Sequence, residues 1–152
     1  MSETQTTLPP ALPPRLEEIV EDFKLCEGRE KLELLLEYSG RMPPLPDWLA
    51  KDRGQLEQVH ECMTPVFVHA ETKEDKMVFF FDVPEESPSV RGYEALLSEG
   101  VKGSTPEAIL AIPGDFYHEM GLQEVLSGQR MNGIRAILRY IKMLAKRELA
   151  KN

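Results

Sequence analysis

The segment Met42-Pro43-Pro44-Leu45-Pro46-Asp47 divides this chain. Three prolines remove backbone donors and restrict the residues before them, so it cannot be regular helix. Ahead of it the apolar spacing is helical. Leu16, Ile19, Val20 and Phe23 follow i, i+3, i+4, i+7, one face of an amphipathic helix. Gly28 interrupts that helix, and a second carries Leu32, Leu35 and Leu36 towards the core. The second is expected to end near Ser39-Gly40, glycine being usual after a helix because it tolerates φ > 0. Trp48 and Leu49 are the expected anchors of the proline connector. Beyond it the period changes to two. Val66 and Val68 alternate with Phe67 and His69, Lys73-Glu74-Asp75-Lys76 makes a polar turn, and residues 77–83 form a more hydrophobic strand. Together they predict an antiparallel hairpin. Residues 56–60 are a candidate third strand, with Cys62 in the bend between strands.

The remainder is helical. Residues 89–97 form one helix, and Thr105-Pro106-Glu107 starts the next with a capping hydroxyl, a first-turn proline and an early acid. A short helix over 115–120 stops at Gly121. The last begins after Ser127 and carries Ile134, Ile137, Leu138, Ile141 and Leu144 in a long apolar stripe. Helices, then strands, then helices predict an α+β fold, a small antiparallel sheet of two to three strands packed against several helices. At 152 residues the chain has the size of one domain. Residues 1–14, rich in Thr and Pro, are expected to be a disordered leader, and residues 15–152 the domain.

Composition removes several function classes. A formal net charge of −8 argues against nucleic-acid binding, which needs a basic surface. No apolar run approaches the ~20 residues needed to span a bilayer, and the N-terminus lacks a secretory signal, so a cytoplasmic, non-membrane protein is expected. Two cysteines make no disulfide framework, and His60, His69 and His118 are too scattered for a zinc pattern. No metal and no cofactor are expected.

Chemistry has few candidates. Cys26, three residues after Phe23, is expected on the buried face of the first helix as a small hydrophobe. Cys62 lies on no amphipathic face and precedes Thr64-Pro65, which bends or extends the backbone. A thiol there is either a partly buried loop residue or a nucleophile presented to another protein. Glu61 would raise its pKa, and His60 is the only nearby thiolate stabiliser in the sequence. A cysteine hydrolase would need a base within reach of the sulfur. His118 or His69 could serve, without a local signature for either. Residues 100–105 lack the spacing of a phosphate loop. Arg130 falls in the first turn of the last helix, where a cation opposes the macrodipole. That placement hints at a partner carboxylate or sulfur anion, while a solvated surface arginine is the reading the residue alone favours.

The ordered chain, residues 15–145, resembles the SufE family of Fe–S cluster assembly proteins. Met42-Pro43-Pro44-Leu45-Pro46 resembles the proline-rich segment ahead of the family's active cysteine. Val59-His60-Glu61-Cys62-Met63-Thr64-Pro65-Val66-Phe67 stands in place of its Val-x-Gly-Cys-x-Ser-x-Val-Trp motif. Ser89-Val90-Arg91-Gly92 and Thr105-Pro106-Glu107-Ala108-Ile109-Leu110 resemble the starts of its next two helices. Leu126-Ser127-Gly128-Gln129-Arg130-Met131-Asn132-Gly133 matches its Leu-Ser-x-x-Arg-x-x-Gly signature. Glu61, Thr64 and Phe67 depart from the glycine, serine and tryptophan of the motif, and Pro65 is atypical.

The resemblance implies a SufE/NifU-like fold and a sulfur-acceptor and relay protein, not a stand-alone enzyme. Its partners would be a SufS-like cysteine desulfurase, which it stimulates, and an Fe–S cluster scaffold. Cys62 would take persulfide sulfur, in a loop shielded until docking, and Arg130 would hold that loop or the persulfide anion. The chain itself would bind no pyridoxal phosphate, and a homodimer stays open. The alternative from another class is a non-catalytic protein-interaction module with structural cysteines.

Overall fold

The structure, a computed structural model, describes residues 12–151. The expected leader therefore lies mostly outside the described residues. Its last residues belong to the domain edge, with Leu12 against the core and Pro14 as the first residue of helix α1 (Pro14–Lys24). A first-turn proline loses nothing, because its missing N–H would have had no partner within the helix. Leu16, Ile19, Val20 and Phe23 are all buried along α1.

Gly28 takes φ +53° and starts helix α2 (Arg29–Ser39). Here two expectations are corrected. The buried face runs Lys31, Leu35, Tyr38, which turns Leu36 to the edge, where it is 40% exposed. Tyr38 takes the inward place instead and stacks on Phe23 at 6.2 Å. Gly40 has φ −71°, not a left-handed value, so the chain leaves α2 through continued right-handed turns. Within the connector, α3 (Asp47–Ala50) buries Leu49 fully. Trp48 remains half-exposed, edge-on to His69 and Phe80.

Strands β1 (Glu57–Gln58), β2 (Phe67–Lys73) and β3 (Lys76–Asp82) form one antiparallel sheet in that order. Lys73 pairs Lys76 across a two-residue turn in which Glu74 and Asp75 both have positive φ. That handedness matches the twist of the flanking strands. Met77, Phe79 and Phe81 alternate inward and meet α4 (Pro88–Val101), which also packs on α1 and α2. Thr105 accepts a hydrogen bond from the Ala108 N–H at 3.1 Å and caps α5 (Pro106–Leu110). Helix α6 (Tyr117–Met120) stops at Gly121, left-handed at φ +75°. Helix α7 (Gly128–Ala150) buries Ile134, Ile137, Leu138, Ile141 and Leu144, the stripe read from the sequence. Helices packed against a small antiparallel sheet make this an α+β domain. Among the described residues, no helix is long and apolar enough to cross a membrane.

Candidate functional site

The sheet extends past β1 and β2, with the Val59 N–H donating to the Val66 carbonyl at 2.9 Å. Residues 60–65 are the loop closed by that pair. Val59 and Val66 are buried and His60, Glu61, Met63 and Pro65 face outward, yet Cys62 at the bend points in. It is 7% exposed, whereas Met63 beside it is 79% exposed. Glu61 does this without a left-handed backbone, since the only non-glycine residues of positive φ among those described are Glu74 and Asp75.

The Cys62 sulfur rests against α7. A Cβ placed on Gly133 would lie 3.1 Å from Sγ, so the missing side chain is the notch that admits the sulfur. Around it is a cavity of about 260 Å³ bounded by the loop, the start of α4 and the start of α7, with Thr64, Val90 and Arg130 in its wall. Ser127 caps α7 by accepting from the Arg130 N–H at 3.3 Å. This sets Arg130 in the first turn, where its Nη1 donates to Ser89 Oγ at 2.7 Å. The loop is tied on both sides. Gln129 Nε2 donates to Met63 Sδ at 2.9 Å, and Thr64 Oγ1 lies 3.4 Å from Ser87 Oγ.

Burial pushes the Cys62 thiol above its ordinary pKa, and the Glu94 carboxylate adds to the rise. The Thr64 N–H and hydroxyl act the other way. Neither His60 nor Glu61, the two influences read from the sequence, acts on the sulfur, because both side chains face outward. Glu94 was missed. It lies at i+4 from Val90 within the apolar face of α4, and one acid in an otherwise buried stripe is the signal that could have found it.

The structure brings Cys62 and Arg130 to one cavity and leaves the other candidates elsewhere. Cys26 is corrected: α1 ends at Lys24, so Cys26 occupies the following turn, half-exposed, with Sγ 3.5 Å from the Asp22 carbonyl. Its thiol is pushed up by burial and by Glu30. His69 lies beside Trp48 and Phe80 on the sheet, and His118 stacks on Tyr117. Among the described residues, no histidine lines the Cys62 cavity, which leaves a hydrolase without its base at the sulfur. What the arrangement offers is a sheltered thiol, room beside it for added atoms, and a cation at the rim.

Residues 17–145 match the family model described as SufE, Fe-S metabolism associated domain. An uncharacterised SufE-like protein of Mycobacterium tuberculosis is 39% identical over 137 residues, 90% of this chain and 94% of that one. The solution structure of a hypothetical protein from Thermus thermophilus superposes with TM-score 0.80 at 37% identity, covering 91% of this chain and 98% of that one. A Plasmodium vivax protein named cysteine desulfuration protein SufE is 29% identical over 136 residues, 86% of this chain and 52% of that longer one.

Proposed function

This chain belongs to the SufE family, one of Fe–S metabolism, and we propose on that premise that Cys62 accepts sulfur from a cysteine desulfurase and relays it to an Fe–S cluster scaffold. The observation that carries the reading is the seating of Cys62 in a cavity shared with Arg130 and Gly133. The donor, a pyridoxal-phosphate desulfurase, arrives with a persulfide on its own cysteine. The Cys62 thiolate attacks the outer sulfur of that persulfide. The donor's sulfur–sulfur bond breaks, its cysteine leaves as a thiolate, and Cys62 carries the new persulfide. A persulfide is more acidic than a thiol, so it is held as an anion, and the Arg130 guanidinium in the cavity wall is the group suited to that charge. Access to the sulfur governs the rate, because the thiol at rest is both buried and kept protonated. The cytoplasm is the compartment this reading assigns.

The test is intact-mass measurement after incubation with a matched desulfurase and cysteine. Wild type should gain one sulfur, removable by reductant and mapped to the Cys62 peptide, and Cys62→Ser none. Arg130→Ala should fold normally and accept sulfur more slowly. Sulfur found on Cys26 would sink the assignment of Cys62, and none on wild type beside a desulfurase that binds it would sink the proposal in favour of an interaction module with structural cysteines.

A further inference from the structure

Helix α7 differs in charge from the chain that carries it. Residues 128–147 hold six Lys or Arg and not one Asp or Glu, in a protein whose net charge is −8. Arg130 belongs to the Cys62 cavity, and Arg147 pairs with Glu57. The other four, Arg135, Arg139, Lys142 and Lys146, recur at i, i+4, i+7 and i+11, a single stripe along the helix. Arg135, Arg139 and Lys146 are exposed and Lys142 is half-buried. Elsewhere among the described residues the helices offset their cations: Lys24 pairs with Glu21 and Glu119, Arg29 with Glu33, and Lys151 with Glu148. Among the described residues no such pair reaches the stripe. Arg135 is held by neutral groups, its guanidinium donating to the Tyr117 hydroxyl at 2.7 Å and to the Asn132 side-chain carbonyl. Its charge is thus oriented but not cancelled.

Like charges one turn apart repel and weaken a helix. The macrodipole favours cations only in the last turn, which Arg135 and Arg139 do not occupy. Local stability therefore gives no reason for the stripe. A groove of about 320 Å³ lies along it, bounded by Gly114, Arg135, Leu138, Arg139 and Lys142. We propose that this face of α7 docks a short acidic segment of a protein partner, with carboxylates of that segment paired to the stripe. The stripe spans roughly 16 Å at about 1.5 Å per residue. Nucleic acid, a longer polyanion, would run off it onto the acidic remainder of the chain and be repelled. A helix lying on a membrane turns its apolar face to the lipid, whereas α7 buries that face in the core. A few carboxylates on one protein segment match both the length and the sign. At about 100° per residue, the stripe is centred about 150° around α7 from Gly133, which faces Cys62. The docked segment thus leaves the Cys62 cavity open, and the inference does not depend on what Cys62 accepts.

The experiment is fluorescence anisotropy of a labelled decaglutamate peptide titrated with the full chain, at low and at physiological salt. Wild type should bind it with an affinity that falls as salt rises, and Arg139→Gln/Lys142→Gln should weaken binding about fivefold or more at low salt. Lys142→Gln/Lys146→Gln is a second variant of the same stripe, should the first fold poorly. Lys51→Gln/Lys102→Gln removes the same charge from exposed positions outside α7 and should leave binding nearly unchanged. Iodoacetamide labelling of Cys62 should proceed equally with and without the peptide. Equal weakening by the control pair, no binding at low salt, or protection of Cys62 by the peptide would overturn the assignment. Tighter binding of an oligothymidylate of the same length, or of phosphatidylserine vesicles, would overturn it too, in favour of nucleic acid or lipid.

Discussion

Gly133→Ala adds a single methyl group beneath the Cys62 sulfur, and two opposing effects of similar size can be set against each other. Alanine in a helix interior is favoured over glycine by about 0.5–1 kcal/mol. The new Cβ would stand 3.1 Å from Cys62 Sγ, with no other neighbour within 4 Å. Comfortable contact begins at roughly 3.5 Å, so the sulfur must give by about 0.4 Å or leave. Mild overpacking of this kind costs about 1 kcal/mol, the low end of its usual range. The helix gain applies whether or not Cys62 is seated, whereas the crowding applies only to the seated state. Global stability should therefore stay within about 1 kcal/mol of wild type, while the balance between seated and unseated sulfur moves by about 1 kcal/mol, roughly a factor of five. Alkylation of Cys62 at fixed pH, read beside the melting midpoint and with Cys26 as internal reference, measures both terms. Faster labelling of Cys62 alone at an almost unchanged midpoint is expected. Unchanged or slower labelling in the folded variant would refute the notch.

Gly92→Ala should behave oppositely: its Cβ would overlap the Leu35 carbonyl oxygen and lie 3.0 Å from the carbonyl carbon, and backbone cannot rotate aside. Overpacking of roughly 1–3 kcal/mol, less up to about 1 kcal/mol of helix gain, predicts a midpoint several degrees lower, and an equal or higher midpoint contradicts the close approach of α2 and α4. Glu57 is held below the usual carboxylate range, first by Arg147 and then by the Tyr140 hydroxyl. A lowered carboxylate contributes stability above its unfolded pKa of about 4.3 that is lost as pH falls through the folded value. Both partners are well exposed, so the excess of wild type over Glu57→Gln should stay below about 1 kcal/mol near neutrality and vanish in acid; a pH-independent difference would contradict it.

The part of the fold legible in the sequence is the part dictated locally. The Thr105 and Ser127 caps, the turn at Lys73-Glu74-Asp75-Lys76 and the stripe of α7 each depend on side chains within a few residues of one another. Periodicity failed where it was carried past a boundary. Cys26 continues the spacing of α1 by number, but the helix ends two residues earlier. Leu36 and Tyr38 exchanged roles because a stripe read from apolarity alone gives no credit to an aromatic with a polar tip. For the site, the sequence yielded Cys62 and Arg130 but neither the seat nor the buried acid that adds to the rise of the Cys62 thiol. Both belong to residues distant in the chain, Gly133 on α7 and Glu94 on α4, and only packing brings them to the loop.

The pairing of Val59 with Val66 sets a length. Six residues run between two points fixed in a sheet ladder, and Cys62 is the third from Val59. At roughly 3.3–3.6 Å per extended residue, the sulfur-bearing segment can advance about 10 Å from the sheet edge while its ends stay paired. The loop is thus a short arm of fixed range. On the proposed sulfur-acceptor role, a donor whose own cysteine lies deeper than that would have to bring its sulfur the remaining distance, so the geometry of this hairpin limits the architecture of the partners it would fit.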